Sequence, residues 1–495
     1  MVLLILAAPL VQASPWDTFG QGGARLGRAG GGMAIPENID SIVANPAALA
    51  GMPAGEVGLG VLFADSAFLP TPDLYWDTNV DGRIDDTDPA LQASPDYEPV
   101  RGFSVAITHP FGRYIAGGLT AYFPMQRLLE LDSFEPSIPT YFMYANRLQR
   151  YDLALELAAR PFGGLAIGAG LQLIPHCRYT LDAALNLTVQ SPEDTPEDTG
   201  DTTSDGNAGD ILSAGLDVHR MSLDVVPDYA PNVSLHWDAG QAIPALDGLY
   251  LGAAWRGTTG LPVDVDINLQ VNAGTEAIGD IAPVTLPIYA SLQLLVYDHY
   301  QPAQLTFGAA YAIQDAFTVS ADLRRTAWDR MEINIARVMD ASIESAAVDL
   351  SDLTVVDGNP YDIRFRSTWS PRVGADLRFP AIATGKKFGD VRAVTRGGFG
   401  YEPTALVSQT ADTALLDSNR LLFAVGAGVE HDDPLHPTGP HRMHWDAFFQ
   451  YQLLQNGELD RGQPSTPTAG YARDGSPIPI GGHLYAAGLA WRSEY

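Results

Sequence analysis

The chain of 495 residues has a single cysteine, Cys177. An intrachain disulfide is therefore impossible, and cysteine-based zinc clusters are excluded. No Cys-His signature surrounds that thiol, so it reads as a small apolar side chain, buried or facing lipid. Lysine is nearly absent: Lys386 and Lys387 are the only two, and arginine carries the remaining positive charge. Basic residues number 29 against 59 acidic ones, a formal charge of −30. That excludes a nucleic-acid partner, which needs a basic stripe. Long apolar runs are missing as well. No segment reaches the roughly 18 uninterrupted apolar residues of a membrane-spanning helix. Disorder is excluded by a hydrophobic content of 46%.

The start reads "MVLLILAAPLVQASPW". An apolar core from Val2 to Val11 leads into Val11-Gln12-Ala13, a small-residue cleavage pattern. It resembles a secretory signal peptide over residues 1–13, cut after Ala13. The expectation is an exported protein without a transmembrane helix.

What the chain has in abundance is alternation. In 249–271, Leu249, Leu251, Ala253, Trp255, Leu261, Val263, Val265, Ile267, Leu269 and Val271 share one parity. Tyr250, Gly252, Arg256, Asp264, Asp266, Asn268 and Gln270 share the other. A period of two puts these sets on opposite faces of a strand. Because the parity never slips, 248–271 is expected to be one very long strand. The same pattern recurs from Phe317 to Arg324, from Leu421 to Glu430 and from Trp445 to Leu453. About fourteen strands follow, the first at 56–69 and the last at 481–495. Some connections are tight, such as "PFGR" at 110–113, "RPFGG" at 160–164 and "AIQD" at 312–315. Others are long, polar and acidic: 70–99, 187–217, 331–360 and 456–480. Short turns at one end and long loops at the other form the layout of an outer-membrane barrel. A closed barrel is also the only β structure that satisfies every backbone group in lipid. A propeller would show a regular repeat of roughly 40–50 residues, and none is present. The fold class is all-β, a transmembrane antiparallel barrel over residues 55–495, in the bacterial outer membrane with long loops outside. Outer-membrane lipid is then a partner along its whole girth.

Residues 16–52 do not alternate. Their glycines lack a Gly-Lys-Ser/Thr ending and a preceding strand, so a phosphate loop is a poor fit. The stretch "GQGGARLGRAGGGMAIPENIDSIVANPAALAGM", with Asn45, Pro46 and Ala47, resembles the N-terminal hatch of the FadL-like family of outer-membrane fatty-acid and hydrocarbon transporters. "LYLGAAWRG" (249–257), "VSADLRRTAWDRM" (319–331), "RAVTRGGFGYEP" (392–403) and "LLFAVGAGVEHD" (421–432) resemble its barrel strands in order. The resemblance implies a fourteen-stranded barrel plugged by a hatch, here residues 14–54. It also implies passive uptake of hydrophobic molecules such as fatty acids, with exit sideways through the wall at a kinked strand. Pro124, in "LTAYFPMQRLL", is the candidate for that kink, since proline cannot donate to a ladder. The parity expected to face inward is rich in small residues, Gly168 and Gly170, Gly252 and Ala254, Gly426 and Gly428, which leaves room for a plug. Arg147, Arg150, His176, Arg178, Arg324 and Arg325 suit either a carboxylate head group or salt bridges with the many acids. Salt bridges are the expectation. A related barrel serving secretion or surface attachment, without transport, is the alternative.

Enzymatic signals are weak. There is no Gly-x-Ser-x-Gly elbow. His431, Asp432, Asp433, His436 and His441 cluster near a turn but lack helical His-Glu-x-x-His spacing, and read as a solvated turn. The string "DTNVDGRIDDTD" at 77–88 is more specific. Asp77, Asn79, Asp81, Arg83 (through its carbonyl), Asp85 and Asp88 take ligand positions 1, 3, 5, 7, 9 and 12 of a calcium loop, with Gly82 at the sharp turn. Position 12 is Asp rather than Glu, as in dockerin-type loops, which the string resembles. One Ca2+ in the first external loop is the expectation, with no chemistry attached. The acidic run 191–210 lacks this spacing and reads as a solvated loop.

Overall fold

The computed structural model describes residues 22–36, 38–77, 82–91, 97, 99–125, 138–141, 152–189, 211–275, 285–331, 337–345, 364–383, 388–407, 415–434, 441–460 and 470–495. The expected signal peptide, the acidic run 191–210, and Asn79, Asp81, Arg147, Arg150 and His436 lie outside these residues.

Fourteen strands close into an antiparallel barrel. In chain order they are β1 (Glu56–Phe68), β2 (Val100–Pro110), β3 (Ile115–Pro124), β4 (Asp152–Phe162), β5 (Leu165–Val189), β6 (Ile211–Asp238) and β7 (Leu249–Arg256). The second half comprises β8 (Gln304–Ile313), β9 (Phe317–Thr326), β10 (Thr368–Arg378), β11 (Asp390–Glu402), β12 (Arg420–Asp432), β13 (Arg442–Leu459) and β14 (Ile478–Glu494). Each pairs with its neighbours in sequence order, and β1 pairs with β14 from Glu56↔Glu494 to Phe68↔Gly482, which seals the ring. Among the described residues every strand of the ring has a partner on both sides, as a lipid-embedded sheet requires.

Alternation becomes a two-sided wall. On β1, Glu56, Leu62 and Ala64 are buried, while Val57, Leu59, Val61 and Phe63 point outward. The outward set stays exposed around the ring: Leu59 and Val61 are each 52% exposed, Val425 59% and Leu489 62%. Large apolar side chains at that exposure need lipid rather than water around them. Trp445 and Trp491, with ring centroids 6.4 Å apart, and the terminal Tyr495 mark the short-turn end. Aromatic rings of this kind favour a membrane interface. No helix among the described residues is long and apolar enough to cross a membrane.

One expectation fails. The run 248–271 is two strands, β7 and a second strand Thr259–Thr275. β7 pairs with β6 as far as Arg256↔Asn232. There Gly257 donates its N–H to the Pro231 carbonyl (2.8 Å), and a Cβ on it would meet Pro231 Cδ at 3.1 Å. Beyond this crossing the chain pairs in parallel with the outer part of β5, from Val263↔Cys177 to Thr275↔Val189. Parity survives the break because both pieces are extended. Only the partner changes. Strands Thr285–Gln301 and Arg337–Ser345, which alternation had not singled out, continue this sheet beyond the rim.

Candidate functional site

The lumen is filled from below by residues 22–52. Helix α1 (Gly23–Leu26) packs on β12, β13 and β14; helix α2 (Asn38–Ala44) packs on β1 to β4. A 3₁₀ turn, Pro46–Gly51, packs on β3 to β6. Pro46 suits the first position of that turn, where its missing N–H has no role.

The Asn-Pro-Ala stretch meets the wall at its smallest side chains. Asn45 is fully buried and donates from Nδ2 to the Leu235 carbonyl (3.1 Å). The Ala47 N–H donates to Ser234 Oγ (2.9 Å). A Cβ on Gly168 would lie 2.4 Å from Ala47 N, and one on Gly252 would lie 2.8 Å from Asn45 Nδ2. Inward glycines therefore let the wall and the segment touch backbone to backbone.

Charge fixes the other side. Arg28, 0% exposed, reaches Asp376 on β10 at 2.7 Å. The Met33 N–H donates to Asp322 Oδ2 on β9 (3.1 Å). Gln450 Nε2 on β13 donates to the Leu26 carbonyl (2.7 Å), and Arg256 on β7 donates to the Val43 carbonyl (2.7 Å). Around this anchor β10 to β13 form a ladder of buried ion pairs: Arg372 with Glu402, Arg396 with Asp446 (2.5 Å), and Arg420 with Asp417 (3.2 Å). Buried charges persist only when paired in this way.

The outer half of the lumen adds an apolar cluster beside the top of this ladder, where Arg420 pairs in register with Leu454. Inward-facing Leu62, Tyr122, Phe448, Leu454 and Leu484 meet the loop residues Leu74, Leu91, Tyr141, Trp328 and Leu415 in one buried apolar cluster. Tyr141 stacks on Phe68 with centroids 4.0 Å apart and accepts the Gly481 N–H on its hydroxyl (2.9 Å).

The other sequence candidates fall as follows. Pro124 is the last residue of β3. Among the described residues, Phe123 and Pro124 pair only on the β2 side, with Phe103 and Gly102; the ladder to β4 ends at Tyr122↔Asp152. Arg324 is buried in the lumen and lines a small cavity with Arg25, Arg256, Asn232, Gln304 and Thr306. Arg25 and Arg256 had not been picked out, because nothing local marks an arginine as lumenal until register is known. Arg325 donates to Ser367 (3.2 Å), and Arg178 lies exposed, 3.9 Å from Asp264. The side chain of His176 lies outside the description. His431 is half-buried, with Nδ1 2.8 Å from the Asp432 carbonyl, and Asp433 is buried.

At 77–88, Asp77 and Asp88 are buried. Gly82 adopts φ 79°, and its N–H donates to Asp77 Oδ2 (3.0 Å). The Asp85 N–H donates to Asp88 Oδ2 (2.9 Å). Hydrogen bonds from the Thr87 hydroxyl and N–H hold the Asp85 carboxyl below the usual carboxylate range. The loop leans on the last external loop: Leu74–Trp76 pairs with Gly470–Ala472, and Arg473 bonds Asp86 (3.0 Å).

A family model described as "Outer membrane protein transport protein (OMPP1/FadL/TodX)" matches residues 5–474. A comparison with curated proteins finds no match. Among solved structures, a Pseudomonas aeruginosa FadL homologue is similar at 15% identity, over 98% of this chain and 99% of that one, with a TM-score of 0.52. The Pseudomonas putida toluene transporter TodX shares 16% identity over 97% and 99%, with a TM-score of 0.47, too loose to argue from. At 15% identity, likeness to the first speaks for the fold, and the family match spans nearly the whole sequence. The chain belongs to the OMPP1/FadL/TodX family of outer-membrane transport proteins.

Proposed function

We propose that this barrel is a passive channel for hydrophobic molecules, long-chain fatty acids or hydrocarbons, with residues 14–54 as its plug. The observation that carries the proposal is the apolar outer lumen standing directly over a buried, polar-anchored segment. An apolar solute gains little from a water-filled pore. It gains roughly 25 cal/mol for each Å² of its surface taken out of water, so a greasy vestibule collects it. The polar ladder along β10 to β13 offers no such gain, and the anchored segment blocks a straight path. Exit is therefore sideways. It runs beside Pro124, where the proline has no N–H for a ladder and, among the described residues, β3 extends past its pairing with β4.

Two measurements test this. Mass spectrometry of small molecules extracted from the barrel in native membrane nanodiscs should find an apolar compound in near-stoichiometric amount; polar solutes alone would sink the proposal. Pro124→Val should complete the β3 ladder and cut uptake of a radiolabelled fatty acid or hydrocarbon. Uptake equal to wild type would remove Pro124 from the route.

Calcium belongs to the same proposal. Oxygen ligands from Asp77, Asn79, Asp81, Arg83, Asp85 and Asp88 suit a hard cation. The positive φ of Gly82, its N–H bond to Asp77 and the burial of Asp77 and Asp88 support this reading. Bound calcium would order the first external loop against the last, near the ligand entrance. Calorimetry should show binding near 10⁻⁴–10⁻³ M, about the range of extracellular modules. Asp77→Ala with Asp81→Ala should abolish the heat. A silent titration of the wild type at millimolar calcium refutes the site.

A further inference from the structure

At the short-turn end, four consecutive strands direct titratable side chains to one spot inside the barrel. Glu430 ends β12, His444 begins β13, Glu494 ends β14 and Glu56 begins β1. Candidate ligand atoms of Glu56, His444 and Glu494 all lie within 4.8 Å of one another. His444 is 9% exposed, and neither of its ring nitrogens has a hydrogen-bond partner. Nε2 stands 3.7 Å from Glu494 Oε1, and Nδ1 stands 3.8 Å from Glu430 Oε1. Both separations exceed hydrogen-bonding distance. The Nε2–Glu494 separation is close to what one ion between those two groups would impose. A nitrogen and an oxygen on one tetrahedral zinc, bonded at about 2.0–2.2 Å, stand roughly 3.4 Å apart.

The carboxylates are already held from behind. Glu56 Oε2 accepts the Ile39 N–H of helix α2 (3.4 Å), and Glu494 Oε2 accepts the Arg442 N–H (3.2 Å). Each keeps its second oxygen for a ligand. Three carboxylates surround one imidazole. Arg492, the cross-strand neighbour of His444 on β14, divides its charge between this spot and Asp446, 3.9 Å from its guanidinium.

We propose that Glu56, His444 and Glu494 hold one divalent metal ion of the zinc class, with Glu430 orienting the far ring nitrogen. Mixed imidazole and carboxylate donors select zinc and its neighbours over calcium or magnesium. A carboxylate behind a ligating histidine is the usual outer partner. The ion would clamp β1 to β13 and β14 across the seam where the barrel closes. Through the Ile39 N–H it would tie α2 to that seam. This clamp is independent of what the barrel carries and of the loop at 77–88.

The test uses the full-length protein in detergent, stripped with chelator and titrated with zinc alone. One zinc per chain is expected by calorimetry and metal analysis, with a rise in melting temperature. Cobalt in its place should give the visible absorption of a site with one imidazole. Glu430→Gln should weaken zinc by about 10–100-fold, the usual effect of losing an outer partner. His444→Gln and Glu494→Gln should each abolish binding, while Asp77→Ala leaves it intact. No zinc uptake by the wild type, uptake undiminished in His444→Gln, or loss in Asp77→Ala instead overturns the site. The cobalt spectrum decides the matter even if a variant fails to assemble. A spectrum without imidazole ligation also overturns it, leaving His444 as a protonated ion-pair centre.

Discussion

Gly398→Val should unseat residues 22–52 and make the barrel leak, whereas Gly397→Val next door should do neither. Gly398 faces inward on β11, where a Cβ would lie 2.3 Å from the Arg28 carbonyl carbon and 2.4 Å from its oxygen. Backbone cannot swing aside as a flexible side chain can. Gly397 faces lipid, and its nearest neighbour, the Ala424 carbonyl, is 3.9 Å away. Valine favours a strand, so the barrel itself should tolerate both changes. Overpacking costs about 1–3 kcal/mol where neighbours can relax, and a backbone collision belongs at the upper end or beyond. Planar-bilayer conductance is the readout. It should be low for wild type and Gly397→Val and high for Gly398→Val. Equal conductance in the two variants would mean that residues 22–52 do not seal the lumen.

A second large effect concerns the anchor of the same segment. Asp376→Ala should cost about 3–5 kcal/mol, the penalty for leaving one buried charge without its partner. Arg28, fully buried, would then lose its 2.7 Å carboxylate partner. Arg28→Met should cost less, because Asp376 keeps Arg396 at 3.8 Å. Combining the two should restore part of the loss, as coupled sites do. Amide exchange of residues 22–52 reports the change without requiring the barrel to unfold. Additive losses, or a larger loss for Arg28→Met than for Asp376→Ala, would contradict the anchoring role.

The barrel was legible in the sequence because lipid on one side and a packed lumen on the other impose a period of two on every strand. The alternation of Leu421, Phe423 and Val425 with Ala424, Gly426 and Gly428 translates directly into outward and inward faces. The break in 248–271 was not legible. Parity records that the chain is extended, not which strand it pairs with, and the local signs of a change are only Gly257, Gly260 and Pro262. The plug contacts were half legible. Inward glycines announced space, while their pairing with Asn45, Ala47 and Arg28 depends on long-range register. The seam cluster was invisible for the same reason. Glu56 and Glu494 are neighbours only because the first strand meets the last. The calcium string stood out because its ligands are local, yet locality also leaves it silent about what the barrel does.

Solute selectivity is the property that most directly separates a hydrophobic channel from any other barrel. Cells lacking endogenous uptake of hydrophobic molecules, supplied with this protein, should take up a radiolabelled fatty acid or aromatic hydrocarbon with saturable kinetics. Entry of a polar sugar should stay at the level of the empty vector. Phe448→Asp, which sets a charge among Leu62, Leu454 and Leu484 in the outer lumen, should lower the apolar uptake. Apolar uptake no greater than the empty vector, or a sugar flux rising in its place, would contradict the reading of this barrel as a channel for hydrophobic molecules.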